Sequence, residues 1–162
     1  MDVGITGRET RADFSGIAPT SVDYAALPVA EAFTWSAWAR AIDRGEWYLV
    51  AFRSVMREGA DEALLWEYDT RAFDEAGQAP GFVHYHRGMA DELGRCLSFC
   101  LWDSREQARE ASRRPAHVEA LGLVEEMYES YVLEFLRVTK RPSAGGLEFE
   151  DYDGTAPGLV DS

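Results

Sequence analysis

Period-two alternation is clearest in residues 95–102, RCLSFCLW, where Leu97, Phe99 and Leu101 alternate with Cys96, Ser98 and Cys100, the pattern of a strand with two different faces. Trp102 ends the run. Asp103 or Ser104 then stands at a helix N-cap, with Glu106 and Gln107 each placed three residues on to complete a capping box. Residues 46–56 (EWYLVAFRSVM) and 128–139 (YESYVLEFLRVT) are rich in aromatic and β-branched residues and read as strands, as does the shorter run at 82–87, FVHYHR. Over residues 61–76, Leu64, Leu65, Tyr68 and Ala72 recur at helical spacing, with Trp66 and Phe73 widening the stripe. The helix after Trp102 is interrupted at Pro115, whose ring clashes with the preceding turn. It restarts with Val118, Leu121, Val124 and Met127 on one face.

Residues 1–27 lack sustained periodicity and read as an arm. Pro28 suits a first helical turn, and Trp35, Trp38 and Ile42 follow at helical spacing. Residues 28–45 are therefore expected to form an N-terminal helix, with its apolar stripe either packed on the domain or serving as a lid or dimer contact. Residues 46–140 carry the order β-α-β-β-α-β, and residues 141–162 form an acidic tail. That order predicts an α+β, ferredoxin-like fold, one antiparallel sheet with both helices on a single face.

Setting the more apolar phase of each strand against the helices points Val50, Phe52, Val83, Tyr85, Leu97, Phe99, Leu101, Leu133 and Phe135 toward them. The opposite face then carries Leu49, Ala51, Arg53, Val55, Phe82, His84, His86, Cys96, Ser98, Cys100, Trp102, Val132, Glu134 and Leu136. Large apolar side chains mixed with two histidines, an arginine and a glutamate suit neither a bare core nor a solvated surface. A second copy packed sheet to sheet, leaving a pocket between, accounts for both. The expectation is a homodimer built as a dimeric α+β barrel.

Composition acts mainly by exclusion. The 162 residues suffice for one core. A net charge of −13 argues against nucleic acid or an anionic membrane as partner. No apolar run approaches the roughly 20 residues of a membrane span, and the N-terminus lacks the regions of a signal peptide. On one strand, Cys96 and Cys100 would lie about 13 Å apart at Cα, beyond the roughly 7 Å limit for a disulfide. A cytoplasmic location is expected. No phosphate loop, Gly-x-Ser-x-Gly elbow or zinc-spaced cysteine set occurs.

Several residues carry candidate chemistry. His84 and His86 point to one face about 6.6 Å apart, where they could share acid–base work, hydrogen-bond a substrate, join Glu134 or a cysteine on a metal, or simply pack. Arg53 and Glu134 share that face as an ion pair or a polar substrate clamp. Ser98, Cys100, Trp102 and Trp66 are candidate pocket walls. His117, just after Pro115, suits a cap or the surface. Cys96 and Cys100 read as small fillers rather than nucleophiles.

The segment LSFCLWDSREQAREASRRPAHVEAL resembles the strand–helix signature of the antibiotic biosynthesis monooxygenase-like proteins of the dimeric α+β barrel superfamily, with Trp102, Asp103, Ser104, Pro115 and His117 in the matching places. The resemblance spans residues 46–139 and implies fold more than reaction. The haem-degrading branch carries a Trp and a His where this chain has Ala111 and Leu121, so haem is not implied. What the resemblance implies is an oxidoreductase of secondary metabolism, a cofactor-independent monooxygenase acting on a small aromatic or polyketide-like metabolite. His84 or His86 would take the substrate proton, with no cofactor and no metal. A cyclase or isomerase on the same scaffold, or a non-catalytic binding or interaction protein using the Trp35/Trp38 helix and the tail, is the alternative.

Overall fold

In a computed structural model, which describes residues 16–152 and 158–159, two short helices, α1 (Val29–Ala32) and α2 (Trp35–Ala39), lead into the central strand β1 (Gly45–Met56). Helix α3 (Glu62–Gly77) connects β1 to β2 (Phe82–His86) and β3 (Arg95–Trp102). Helices α4 (Arg105–Ala111), α5 (Pro115–Leu121) and α6 (Val124–Met127) then lead to β4 (Tyr128–Lys140), followed by β5 (Glu148–Asp151) and β6 (Gly158–Leu159). β1 pairs antiparallel with β3 on one side and β4 on the other. The sheet order is β2-β3-β1-β4-β5, with β6 also paired to β4. This is the expected ferredoxin-like α+β architecture with additional helical structure at its N-terminal end. Among the described residues, no helix is long and apolar enough to cross a membrane.

Local chemistry explains the boundaries. The Asp61 side chain accepts from the Leu64 N–H at 3.0 Å and starts α3. Ser104 accepts from the Gln107 N–H at 3.3 Å, and its hydroxyl donates to Gln107 Oε1 at 2.9 Å, so Ser104 caps α4 with Gln107 as its partner. Gly94 takes φ +82 before β3, where a Cβ would meet the Met56 carbonyl oxygen at 2.7 Å, so only glycine fits.

Residues 17–42 run as a strap over one face of the sheet. The single helix expected over residues 28–45 is instead broken at Phe33, which is extended (φ −130, ψ 162) and bridges Pro19. The break is stitched by Thr20 N–H to the Ala32 carbonyl and Thr34 N–H to the Ala18 carbonyl, both at 2.9 Å. The extended turn lets the Phe33 ring reach Phe99 at 4.9 Å and His86 at 4.8 Å. Beside it, Trp35 Nε1 donates to the Val29 carbonyl at 2.8 Å, and its ring packs on Phe99 and Phe149 at 5.2 and 5.1 Å. Strap and sheet form one core with Leu49, Ala51, Leu97, Phe99, Leu101, Leu136 and Val138.

The register reverses one expectation about faces. Residues directly opposite in an antiparallel ladder share a face, and Leu49 pairs with Leu101 and Ala51 with Phe99, whereas Val50 pairs with Cys100 and Tyr48 with Trp102. Leu97, Phe99 and Leu101 therefore face the strap, and Cys96, Ser98, Cys100 and Trp102 face the helices. A register shift between Phe82 and His84 places Phe82 opposite Trp102, and His84 and His86 opposite Leu101 and Phe99. Val83 also packs into the strap-side core. The more apolar phase of β3 does not meet the helices because the strap makes the other face equally buried. The strap thus covers the part of that face built from Leu49, Ala51, Leu97, Phe99 and Leu101, while Val55, Ser130 and Val132 border an open groove.

The acidic tail is not wholly free of the sheet. Glu148–Asp151 pairs with β4 from Leu136↔Asp151 to Thr139↔Glu148. Phe149 turns to the strap side, and Tyr152 turns to the helix side, edge-on to Tyr48 at 5.0 Å.

Candidate functional site

A cavity of about 610 Å³ lies between the helix-facing side of the sheet and helices α3–α5. Its floor is the reversed phase of β3, where Cys96, Ser98 and Cys100 are small enough to leave space. Val50, Phe52, Leu133 and Phe135 form the apolar part of the floor, and Leu65, Ala72, Phe73, Ala108 and Leu121 supply the roof. Its size and mostly apolar walls are those of a small-molecule site.

Polar groups interrupt these walls, among them Asp69, Glu75, Tyr85, Arg105, Arg109 and His117. Tyr85 Oη donates to Asp69 Oδ1 at 2.8 Å and Oδ2 at 3.1 Å. Arg87 Nε stands 2.5 Å from Asp69 Oδ2 and Arg87 also donates to Thr70 Oγ1 at 3.0 Å. Its guanidinium lies 3.7 Å over the Trp66 ring. Burial, with the Asp69 carboxylate beside it, pushes the Tyr85 phenol well above its ordinary value, so it stays a neutral donor.

On the roof, the Glu75 carboxylate accepts from the Ala116 N–H at 3.2 Å and the His117 N–H at 3.4 Å, tying α3 to the first turn of α5. That contact holds His117 against the cavity. Burial lowers the His117 pKa, and the Glu75 charge partly opposes it. The imidazole is therefore uncharged near neutral pH and able to accept a proton. The cysteines are poor nucleophiles. Burial pushes the Cys100 thiol up to about 12, even with Trp102 Nε1 donating to its sulfur at 3.1 Å, and Cys96 is raised as well.

The residues singled out in the sequence are divided by the sheet. Ser98, Cys100 and Trp102 line the cavity. His84 and His86 lie on the other face against Phe99, at ring distances of 5.8 and 5.7 Å, and neither lines the cavity. His86 Nε2 is buried with no hydrogen-bond partner among the described residues. Burial first, and then His84 beside it, lower its pKa. Arg53 and Glu134 are also on the strap side. Arg53 Nε meets Glu134 Oε2 at 2.5 Å, and Arg53 donates to the Ala25 carbonyl at 2.7 Å, so this pair anchors the strap. Trp66 is 53% exposed and stacks on Arg87 outside the cavity. Among the described residues, no group of three or more His, Cys, Asp and Glu side chains is arranged to hold a metal ion.

Sequence pattern alone does not single out Asp69, Tyr85, Glu75, Tyr128 or Tyr131 for chemistry, and it suits His117 to a cap or the surface, whereas all six line the cavity. Asp69 had a legible signal. It stands four residues after Leu65, so a carboxylate interrupts the apolar stripe of α3.

Comparison with known proteins adds family and fold. A family model described as PB2B2.08-like matches residues 9–151. The UPF0643 protein PB2B2.08 of Schizosaccharomyces pombe is 32% identical over 131 residues, covering 70% of this chain and 60% of that protein. The chain thus spans less than two thirds of the length of this curated relative. Among solved structures, SO0527 from Shewanella oneidensis superposes with a TM-score of 0.52 at 16% identity, over 60% of this chain and 99% of that one. SnoaB, a cofactor-independent oxygenase from Streptomyces nogalater, gives 0.45 at 14% identity over 56% of this chain and 90% of that one. The SO0527 likeness is one of fold.

Proposed function

The chain belongs to the PB2B2.08-like family, and we propose that this member is a cofactor-independent monooxygenase acting on a small aromatic or polyketide-like metabolite held between the sheet and α3–α5. The observation that carries the reading is the position of His117, an uncharged imidazole on the wall of a largely apolar cavity of about 610 Å³. Two of the residues that carry the sequence resemblance, Trp102 and His117, line that cavity from opposite sides. The proton-accepting role expected of His84 or His86 passes in this reading to His117.

In the proposed reaction a ring methylene flanked by carbonyl or phenolic groups loses a proton to His117. The resulting carbanion combines with dioxygen to give a peroxide anion, which takes the proton back from His117 to form a hydroperoxide, and this loses water to leave a ketone. One oxygen atom enters the product, the other leaves as water, and the substrate supplies both electron pairs. The chain's own contribution is to hold the ring flat between Phe52, Phe135 and the roof, to exclude water, and to take the proton. A homodimer, which the resemblance implies, would in this chain pack outside the strapped face.

Oxygen uptake with an anthrone substrate tests the reading. Stoichiometric uptake, abolished by His117→Gln and retained in His84→Ala, is the expected result. Turnover of an enolisable ketone without oxygen consumption would point to a cyclase or isomerase instead, and no turnover in either assay would leave a binding protein.

A further inference from the structure

Strand β4 contains an irregularity that turns two tyrosines to the same side. Tyr131 pairs with Ser54, Ser130 with Val55, and Tyr128 with Met56, so the register shifts by one residue between Val55 and Met56. Residues three apart on a regular strand face opposite ways. The extra residue, Glu129, brings Tyr128 onto the face of Tyr131, and both line the cavity, their rings 5.2 Å apart. Bulges of this kind re-aim side chains beside functional sites.

Tyr131 packs its ring on Phe52, both residues are half-buried, and neither hydroxyl makes a hydrogen bond to the protein among the described residues. Neither oxygen is sealed from the cavity, so the two hydroxyls stand side by side on one wall as donors that a ligand's acceptor can reach. Both phenols are pushed far above their ordinary range, chiefly by burial. They stay protonated, so each can donate, and they suit an oxygen that accepts.

We infer that Tyr128 and Tyr131 form an oxygen-binding subsite, donating two hydrogen bonds to a carbonyl or enolate oxygen of the ligand. The inference rests on the reading of this cavity as the substrate site and narrows the substrate to a flat, mainly hydrocarbon ring system whose carbonyl oxygen points toward the start of β4. The opposite end of the cavity, at Trp102 and Phe135, then takes the apolar part of the ring. An enolate formed by loss of a proton would be held more strongly than the ketone, because hydrogen bonds to a charged oxygen are the stronger ones.

The matched pair 1-tetralone and tetralin differs at one carbon, a carbonyl replacing a methylene, and titration calorimetry of the full chain with each separates the subsite from the cavity. The expected result is tetralone binding tighter than tetralin by about tenfold, with Tyr128→Phe/Tyr131→Phe erasing that preference and leaving tetralin affinity unchanged. The two single variants each lose part of the preference, which covers the case in which the double variant does not fold. No preference in the unaltered chain, or a preference that survives in the double variant, overturns the subsite while tetralin binding still upholds the cavity. Failure to bind either compound overturns both.

Discussion

The Tyr85 hydroxyl and the Arg87 guanidinium converge on one carboxylate, Asp69, at 2.8 and 2.5 Å. The three form a unit that fastens β2 to α3 and fixes one wall of the cavity. Removing the carboxylate leaves the Tyr85 hydroxyl unpaired and takes the ion pair from Arg87, which keeps only Thr70 and the Trp66 ring, at a cost of about 1–3 kcal/mol. Asp69→Ala is expected to lower the urea midpoint accordingly. Asp69→Ala combined with Tyr85→Phe should lose less than the sum of the single changes, because one interaction cannot be lost twice. Strict additivity in that double-mutant cycle would mean the hydrogen bond contributes nothing to stability.

The strap is held by aromatic packing, and Phe33 is its anchor, 3% exposed and in contact with Tyr24, Trp35, His86 and Phe99. Truncating a buried phenylalanine costs about 3–5 kcal/mol. Phe33→Ala should therefore destabilise the whole fold, whereas Val22→Ala, on the same strap but 88% exposed, should change it by no more than about 0.5 kcal/mol. Chemical denaturation of the two variants checks this. A small effect of Phe33→Ala would show that the strap only rests on the sheet.

His86 makes that same interface sensitive to acid. Around it are the Phe33 and Tyr24 rings from the strap, Phe99 from β3 and the imidazole of His84 on its own strand. Burial favours the neutral ring, so the folded chain binds the proton less readily than the unfolded chain. Stability is complete above the ordinary histidine value of about 6.5 and declines as pH falls below it. His117, lowered in the same direction, adds to the slope. Urea midpoints measured between neutral and mildly acidic pH should fall for the unaltered chain and fall less for His86→Phe. Equal slopes in the two proteins would remove His86 from the account.

Much of the fold was legible because its determinants are local. The β-α-β-β-α-β order follows from two periodicities, and the Ser104 cap with its Gln107 partner follows from spacing. The sidedness of β3 was not legible. Alternation at 96–101 shows that Leu97, Phe99 and Leu101 share a face, but which neighbour covers that face depends on the strap, and a strap with an extended break at Phe33 has no helical period to announce it. The bulges were hidden for the same reason. A strict period of two puts Phe82 with His84 and sets Tyr128 opposite in phase to Tyr131, and in each case one extra residue reverses the assignment. A candidate site assembled from phase alone therefore gathered His84, His86, Arg53 and Glu134 with Ser98, Cys100 and Trp102, which the sheet in fact separates. The small residues of β3 were the better clue, since a cavity needs a floor that does not fill it.

Glu75 and His117 allow the proposed base to be separated from mere packing. A general base must be neutral to act, so turnover should rise with pH through the His117 pKa and level off above it. Glu75 raises that pKa against the larger effect of burial. Glu75→Gln removes the charge while its amide oxygen can still accept from the Ala116 N–H, so the acid limb of the pH–rate profile should move to lower pH. His117→Gln should reduce turnover by about 10²–10⁴-fold and leave tetralin binding intact, because the ring is not needed to enclose an apolar ligand. An acid limb that moves upward in Glu75→Gln, or turnover that survives in His117→Gln, would assign the proton transfer to another group. The Asp69 carboxylate, already accepting from Tyr85 at the same cavity wall, would then be the next base to test.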